Sequence, residues 1–427
     1  VIGSGISGIS AAWFLSQHHD VTVFEKNAKL GGHTNTSTVA VDAQNVAVDT
    51  GFIVFNRPNY PHLSAMLAHL HVATQNTEMT FSVSVNQGQL EYSGNNLNTM
   101  FAQRKNLLSP KHWKMISEIL RFNKQAKHDL NHQPAHLLQQ SLGDYLDQHH
   151  FNDHMRNHYL LPMAAAIWSC PLDTMMAFPI GSFLRFFENH GLLNIEDRPQ
   201  WESVVGGSYQ YIKAILKSAR FNVKTDATVV GVTKSNGGLM VVLQDGTTEY
   251  FDDVVFGAHA DETFVMLDDA LKNDFRVLMP FQYQDNVAYL HSDTRLMPQR
   301  KLAWASWNYL RDTRNDASHP NTSQVAVTYW MNLLQNIAVD TPMLVTLNPP
   351  FIPKLNLTYQ KIHYKHPVFD QAAMQAQTQL HTLQGKHNLW FCGSYFGYGF
   401  HEDGLASAVN LAKLWGINLP WESKEAQ

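Results

Sequence analysis

The chain has 427 residues, 44% of them hydrophobic, with 36 Asp and Glu against 31 Lys and Arg and a formal charge of −5. That length buries a large core and predicts two domains, while the acidic balance excludes nucleic acid as a bulk electrostatic partner. Two cysteines, Cys170 and Cys392, with no C-x-x-C exclude a disulfide framework, and the 23 histidines are scattered without metal-ligand spacing, so no metal is expected.

The amino terminus reads V-I-G-S-G-I-S-G. Val1-Ile2 is the end of an apolar strand, expected to be incomplete. Gly3, Gly5 and Gly8, with Ser4, Ile6 and Ser7 between them, make a sharp turn into a helix over Ile6 to Gln17. Val21 to Phe24 is a second strand, and Glu25 closes it twenty residues after Gly5. Glycines at this spacing let backbone N–H groups approach a pyrophosphate at a helix N-terminus, and a carboxylate there accepts hydrogen bonds from a ribose. The context of strand, turn, helix and strand makes this a dinucleotide fold.

The next segments choose between cofactors. Glu25-Lys26 followed by Leu30-Gly31-Gly32-His33 resembles the extension after the second strand in flavoproteins of the amine oxidase and phytoene desaturase superfamily. Val48-Asp49-Thr50-Gly51-Phe52 resembles the superfamily segment that returns toward the flavin. The resemblance implies FAD, with Lys26, Gly31, Gly32, His33, Thr50, Gly51 and Phe52 beside it.

Beyond residue 55 the apolar spacing becomes helical over Tyr60 to His69, Pro110 to His128, Leu142 to His149 and Asn152 to Leu161. Phe81 to Val85 and Gln89 to Tyr92 alternate as a strand pair around Asn86-Gln87-Gly88. Between Arg104 and Lys127 seven Lys or Arg stand against one acid, Glu118, with Trp113, Ile116, Ile119 and Leu120 on one helical side. Residues 104–127 are therefore a candidate peripheral membrane contact, with the solvated face of a packed helix as the plain alternative. Tyr159 to Leu184 is apolar but broken by Pro162, Pro171 and Pro179, so it reads as a cavity lining or core and not as a spanning helix.

The nucleotide pattern resumes at Gly206-Gly207. A helix is predicted over Tyr209 to Ala219, then strands over Thr228 to Thr233, Leu239 to Leu243 and Tyr250 to Phe256. Val229 is taken as a further cofactor contact, and Val254 to Ala258 as a buried parallel strand. Strands near Val287 to His291 and Val325 to Met331 and a helix from Pro367 to Leu383 follow, and Leu389 to Gly393 is the last strand. Five segments result: FAD-binding pieces at 1–58, 204–265 and 386–427, and substrate-domain pieces at 59–203 and 266–385. The predicted class is α/β, a Rossmann-like FAD-binding domain interleaved with an α+β substrate domain in an amine oxidase-like two-domain architecture. No internal repeat or second G-x-G-x-x-G is present, so a separate NAD(P)H domain is not expected, and oxygen, a quinone or another protein would exchange electrons with the flavin.

Gly393-Ser394, then Tyr395 to Leu405, precede a helix from Ala406 to Leu414. The spacing resembles the superfamily's last motif, in which a helix N-terminus points at the flavin and stabilises the negative charge of its reduced ring. Gly393, Ser394, Glu402, Asp403, Gly404 and Leu405 are the implied contacts. W-F-C-G-S-Y-F-G-Y-G-F-H-E-D-G at 390–404, A-W-A-S-W-N-Y at 303–309, T-Y-W-M-N at 328–332, H-P-V-F-D at 366–370 and L-L-P-M-A-A-A-I-W-S at 160–169 look like a bacterial family of predicted NAD/FAD-binding flavoproteins. Members of that family are often encoded beside cyclopropane-fatty-acyl-phospholipid synthases. The resemblance covers nearly the whole chain and implies lipid metabolism, with a lipid methyltransferase as an expected partner, while the cysteine usage fits a reducing cytoplasm and residues 104–127 add the inner membrane face to the expected location.

The flavin carries the redox step, so few side chains need to be reactive. His401, Tyr398 and Trp330 are the candidate catalytic residues. His401 with Glu402 and Asp403 offers acid–base groups, against a purely structural role in fixing Gly404. Tyr395, Phe396, Tyr398, Phe400, Trp330 and Trp304 offer aromatic walls, against ordinary core packing. In the amine oxidase branch a lysine typically sits near flavin N5, and this chain has none from Val277 to Gln299, leaving His291, Arg295 or Lys301 as substitutes. The expected activity is hydride transfer between a lipophilic substrate, such as an unsaturated or modified acyl chain, and non-covalently bound FAD, as a desaturase, dehydrogenase or isomerase. The alternatives are a flavin amine oxidase and a flavin-binding partner subunit without turnover.

Overall fold

The computed structural model describes every residue except 133–136, 138–139, 169–171, 195–196, 236, 312–325 and 423–427, and at 172–173 the backbone alone. Ser169, Cys170, Pro171 and Val325, which figure in the sequence readings, lie outside the described residues.

Three distant stretches of chain meet in one parallel sheet. Its order is Leu389–Phe391, Val254–Phe256, Ile2, Thr22–Phe24 and Asn222–Lys224, with Ile2 bridging its two halves. Because successive strand residues point to opposite faces, Val23 and Val255 pack under helices while Phe24, Val254 and Phe256 pack under a meander. The helices are α1 (Ile6–Leu15), α2 (Pro61–His69), α4 (Tyr209–Ser218) and α5 (His401–Leu414), numbered with α3 (Pro110–His132) of the second domain. The meander comprises Val229–Ser235, Gly238–Leu243 and Thr248–Phe251. The predicted strand from Tyr250 to Phe256 is thus two strands, because the chain leaves the meander at Asp252-Asp253 and re-enters in the parallel sheet.

The second domain is built on a seven-stranded sheet in the order Thr358–Val368, Gln282–His291, Leu344–Leu347, Ala326–Trp330, Trp307–Arg311, Phe81–Val85 and Leu90–Ser93. Every pairing is antiparallel except Trp307–Arg311 with Phe81–Val85. Helices pack on it through Met115, Ile119 and Phe122 of α3 together with Leu160, Leu161, Met163, Phe183 and Phe187. The described side chains of the apolar stretch from Tyr159 to Leu184 therefore contribute to the core, and among the described residues no helix is long and apolar enough to cross a membrane.

The packing draws the domain limits differently at three places. Leu63, Met66 and Leu67 of α2 pack against α1 and α5, on the nucleotide side of the limit expected at residue 58. Leu271, Phe275 and Leu278 join the core beneath the meander, and so do Ala373, Ala376 and Leu380. The predicted helix from Pro367 is also shortened: Pro367 and Val368 end an eleven-residue strand, and the helix is Gln371–Gln377, capped by the Asp370 carboxylate.

Candidate functional site: a glycine-lined junction of two helix ends

The turn after Ile2 is held by backbone contact. Gly3 has φ +96°, and a Cβ on Gly8 would stand 2.0 Å from the Gly3 carbonyl oxygen. A Cβ on Gly257 would be 2.5 Å from the Gly8 Cα, so this glycine, which sequence reasoning passed over, closes the turn from the neighbouring strand. Its signal was a glycine directly after the apolar run Val254-Val255-Phe256. Gly5 differs: it has φ −61°, and a Cβ there would meet nothing within 4 Å. Space is thus left open at the first turn of α1, whose N-terminus has neither a side-chain cap nor an acidic residue.

Glu25 is buried at the end of the second strand. Its Oε2 accepts from the Ser4 hydroxyl (2.5 Å) and backbone N–H (3.1 Å), and its Oε1 accepts from the Asn27 N–H (2.9 Å) and Nδ2 (2.8 Å). Lys26 turns away to Glu262 at 2.8 Å. Gly31 and Gly32 both have positive φ, and a Cβ on Gly32 would lie 3.2 Å from the Gly5 Cα, so the second glycine pair runs across the first. Val229 starts the meander before a bulge and packs with Ile2 and Phe24, two residues after Ala227, whose N–H donates to the Glu25 carbonyl at 2.9 Å.

The carboxyl-terminal helix begins five residues earlier than the sequence suggests, at His401. The Asp403 carboxylate accepts from the N–H groups of Tyr398 and Phe400, both at 2.9 Å, and folds the preceding loop onto the helix start. Gly404 is then inside the first turn, where a Cβ would be 2.8 Å from Ser7 Oγ and 2.9 Å from Ile6 Cγ2. Ser407 Oγ bridges the Gly404 carbonyl (2.7 Å) and the Gly393 N–H (2.9 Å), and Leu405 is fully buried. Ser394 lies alongside, its Cβ 3.9 Å from that same position on Gly404.

Glu402 is spent elsewhere. Its two oxygens accept from the N–H groups of His62 (2.8 Å) and Leu63 (3.0 Å), so it caps α2. Burial pushes Glu402 up to about 7 and Asp403 up to about 6, against the hydrogen bonds that favour their charged forms. Both carboxylates are thus engaged by backbone N–H groups, which is the structural role set against the acid–base one. His401 stacks on Phe52 (3.9 Å, 8°), and its Nε2 meets the Tyr211 hydroxyl at 2.7 Å, which in turn contacts the Thr34 hydroxyl. Burial lowers His401 to about 3, so it is a neutral ring.

Thr50, Gly51 and Phe52 complete the junction. Thr50 Oγ1 meets the Tyr364 hydroxyl at 2.9 Å, a Cβ on Gly51 would be 2.2 Å from the His33 carbonyl oxygen, and the Phe52 N–H donates to that oxygen at 2.7 Å. His33 stacks on Tyr364 at 4.8 Å, and its buried Nε2 has no hydrogen-bond partner among the described residues. Asp49, which the sequence did not single out, accepts from Ser208, Thr36 and Gln335 and joins α4 to the second domain; burial raises it to about 6.

The remaining candidates are placed as follows. Tyr398 lies on the loop before α5, held through its N–H. Trp330 ends a strand of the large sheet and packs edge-to-face on Trp304 at 5.3 Å. Phe400 stacks on Phe186 (4.6 Å, 18°) beside Trp168 and His190, an aromatic layer at the mouth of α5. His291 has both ring nitrogens engaged, by Thr346 Oγ1 (2.7 Å) and the Asp293 N–H (3.0 Å), and Arg295 is held by Asp293; neither is free to stand in for the missing lysine.

The fold and this junction define a mixed α/β protein with a Rossmann-like domain: residues 1–70 match the model of the NAD(P)-binding Rossmann-like domain. No sequence among curated proteins matches the chain. In three dimensions it is similar to a CLA-producing fatty acid isomerase from P. acnes, at 11% identity and a TM-score of 0.66 over 97% of this chain and 98% of that one. It is also similar to putrescine oxidase in its putrescine-bound form, at 15% identity and a TM-score of 0.65 over 97% of each chain. A third likeness is to cyclohexylamine oxidase from Brevibacterium oxydans IH-35A, at 13% identity and a TM-score of 0.64 over 97% of this chain and 98% of that one. The chain therefore has the two-domain fold of the amine oxidase-like flavoproteins.

Proposed function

We propose that the protein is an FAD-dependent oxidoreductase acting by hydride transfer on a lipophilic substrate, with an unsaturated or modified acyl chain as the substrate class. The observation that carries this reading is the meeting of α1 and α5 at Ser7 and Gly404, where α1 presents an N-terminus with neither a side-chain cap nor an acidic residue and the Asp403 carboxylate of α5 is turned to the Tyr398 and Phe400 N–H groups. The uncapped, acid-free end of α1 calls for an electron-rich ligand.

The residues fit FAD. The open position over Gly5 and the N–H groups of Ile6 and Ser7 suit a pyrophosphate, and the α5 end suits a ring that gains negative charge. The acceptor positions of Glu25 are filled by Ser4 and Asn27, so a ribose would be held by Glu25 in place of the Ser4 hydroxyl contact. FAD supplies hydride exchange at its N5. The chain's own part is to hold charge at the first turn of α5, to keep His401 neutral and aligned on Phe52, and to exclude water with the Phe400, Phe186 and Trp168 layer. Cys392 is buried and its thiol is pushed up to about 12, which supports non-covalent attachment.

The aromatic layer and the engagement of Glu402 and Asp403 by backbone N–H groups favour an apolar substrate over an ammonium-bearing one. The likeness to a fatty acid isomerase supports the same choice. Anaerobic titration of the flavin-loaded protein tests it: bleaching of the oxidised flavin band by acyl lipids is expected. Bleaching by putrescine or cyclohexylamine instead would make it an amine oxidase. Bleaching by neither, until a lipid methyltransferase is added, would make it a partner subunit.

A further inference from the structure

A second feature lies on the outer surface of the helical block. Leu97 and Leu108 are 71% and 89% exposed, and Leu107, Trp113 and Leu120 are also exposed. Their positions are fixed: Asn96 caps the turn at Leu97–Met100, and the Arg104 guanidinium donates to the Asn98 and Phe101 carbonyls. Trp113 Nε1 donates to the Leu107 carbonyl at 2.9 Å while its ring lies 4.8 Å from Phe101. The opposite side of α3 is already used, with Met115, Ile119, Phe122 and Ala126 buried in the core. Trp113 and Leu120 are thus left outside by the fold, and the expectation that Ile119 shares their side does not hold.

The charge around these side chains is mostly positive, with Asp153 beside Lys111 and Lys114 as an acid among them. Arg104, Lys105, Lys111, Lys114 and Lys124 are exposed among them, and the acid Glu118 is neutralised by a two-point pair with Arg121 at 3.0 and 2.7 Å. A chain with five more acids than bases has a local excess of cations here. Protein interfaces deplete lysine at their apolar centres, whereas leucines and a tryptophan protruding through a lysine field match an interface of acyl chains under phosphates.

We propose that residues 97–124 are a peripheral docking surface for an anionic lipid bilayer, with Leu97, Leu107, Leu108 and Trp113 entering the acyl boundary and the lysines facing lipid phosphates. The proposal goes beyond the redox assignment and stands without it, because its test reads binding and not turnover. The full chain is sedimented with phosphatidylcholine vesicles, with and without phosphatidylglycerol, beside the variants L107S/L108S and K111E/K114E. Binding only to the phosphatidylglycerol vesicles, weakened by added salt, is expected. Each cation removed weakens it about fivefold, so the double charge reversal loses roughly twentyfold or more; the serine pair loses at least tenfold, a rough minimum for two buried leucines. Unfolding midpoints equal to the parent's establish that both variants fold. Equal binding to both vesicles, binding by the variants at the parent level, or no binding to vesicles, whether or not an acidic protein is bound instead, would overturn the proposal.

Discussion

A Cβ on Gly404 would stand 2.8 Å from the Ser7 hydroxyl oxygen, so the first turns of the first and last helices touch across nearly the whole length of the chain. In a helix interior alanine is favoured over glycine by about 1 kcal/mol, and Gly404→Ala should nevertheless lower stability by about 1 kcal/mol because the contact leaves no room. Ser7→Ala in the same chain should recover part of that loss. Thermal unfolding of the two single variants and the double variant measures the coupling.

Glu402 reaches the α2 N–H groups of His62 and Leu63 from 340 residues away. Glu402→Ala should cost about 1 kcal/mol, the usual worth of a cap, and Glu402→Gln, which keeps one acceptor oxygen, should cost less. Denaturant midpoints check both. Equal losses for the two variants would show that the charge and not the hydrogen bond holds α2.

Acid should unfold the protein through its histidines. Burial lowers His158, His190, His291 and His366 to about 4 and His401 to about 3. The unfolded chain binds these protons first as pH falls below 6.5, so stability present at pH 7 is lost toward pH 4. Asp49, Glu402 and Asp403, raised to about 6 or 7, carry the opposite slope between about 4 and 7 and offset part of it. His366 is the informative site. Its Nδ1 meets Asn286 Nδ2 at 2.7 Å, and Asn286 cannot turn over because its Oδ1 accepts from Asn348 at 2.6 Å, so a proton on Nδ1 would face a donor. His366→Asn should flatten the fall in melting temperature between pH 6.5 and 4.

What the sequence disclosed and what it concealed divide by distance along the chain. Gly3, Gly5, Gly8 and Glu25 form a local fingerprint, and the strand pair around Asn86-Gln87-Gly88 carries its own turn, so both were legible. The start of α5 was not, because Gly397-Tyr398-Gly399-Phe400 reads as loop and the Asp403 carboxylate that organises it has no signature in spacing. The cap from Glu402 to α2 and the Asp49 contacts with Ser208 and Gln335 join residues far apart, and only tertiary packing reveals them. The strand Thr358–Val368 was concealed by its polar residues, of which Gln360, Lys361 and His363 are exposed on the edge of the large sheet.

Loading of purified protein with FAD, compared between the parent chain and Gly5→Ala, tests the central claim most directly. Alanine fits the backbone of residue 5 and meets no neighbour, so stability without cofactor should stay within about 0.5 kcal/mol, whereas Gly8→Ala, forced onto the Gly3 carbonyl, should lose about 3 kcal/mol. The account predicts that the parent takes up FAD and turns yellow and that Gly5→Ala, equally folded, binds at least an order of magnitude more weakly, as expected where a methyl group obstructs the phosphate's approach. A parent that stays colourless in excess FAD, or a Gly5→Ala variant that binds as tightly as the parent, would contradict it.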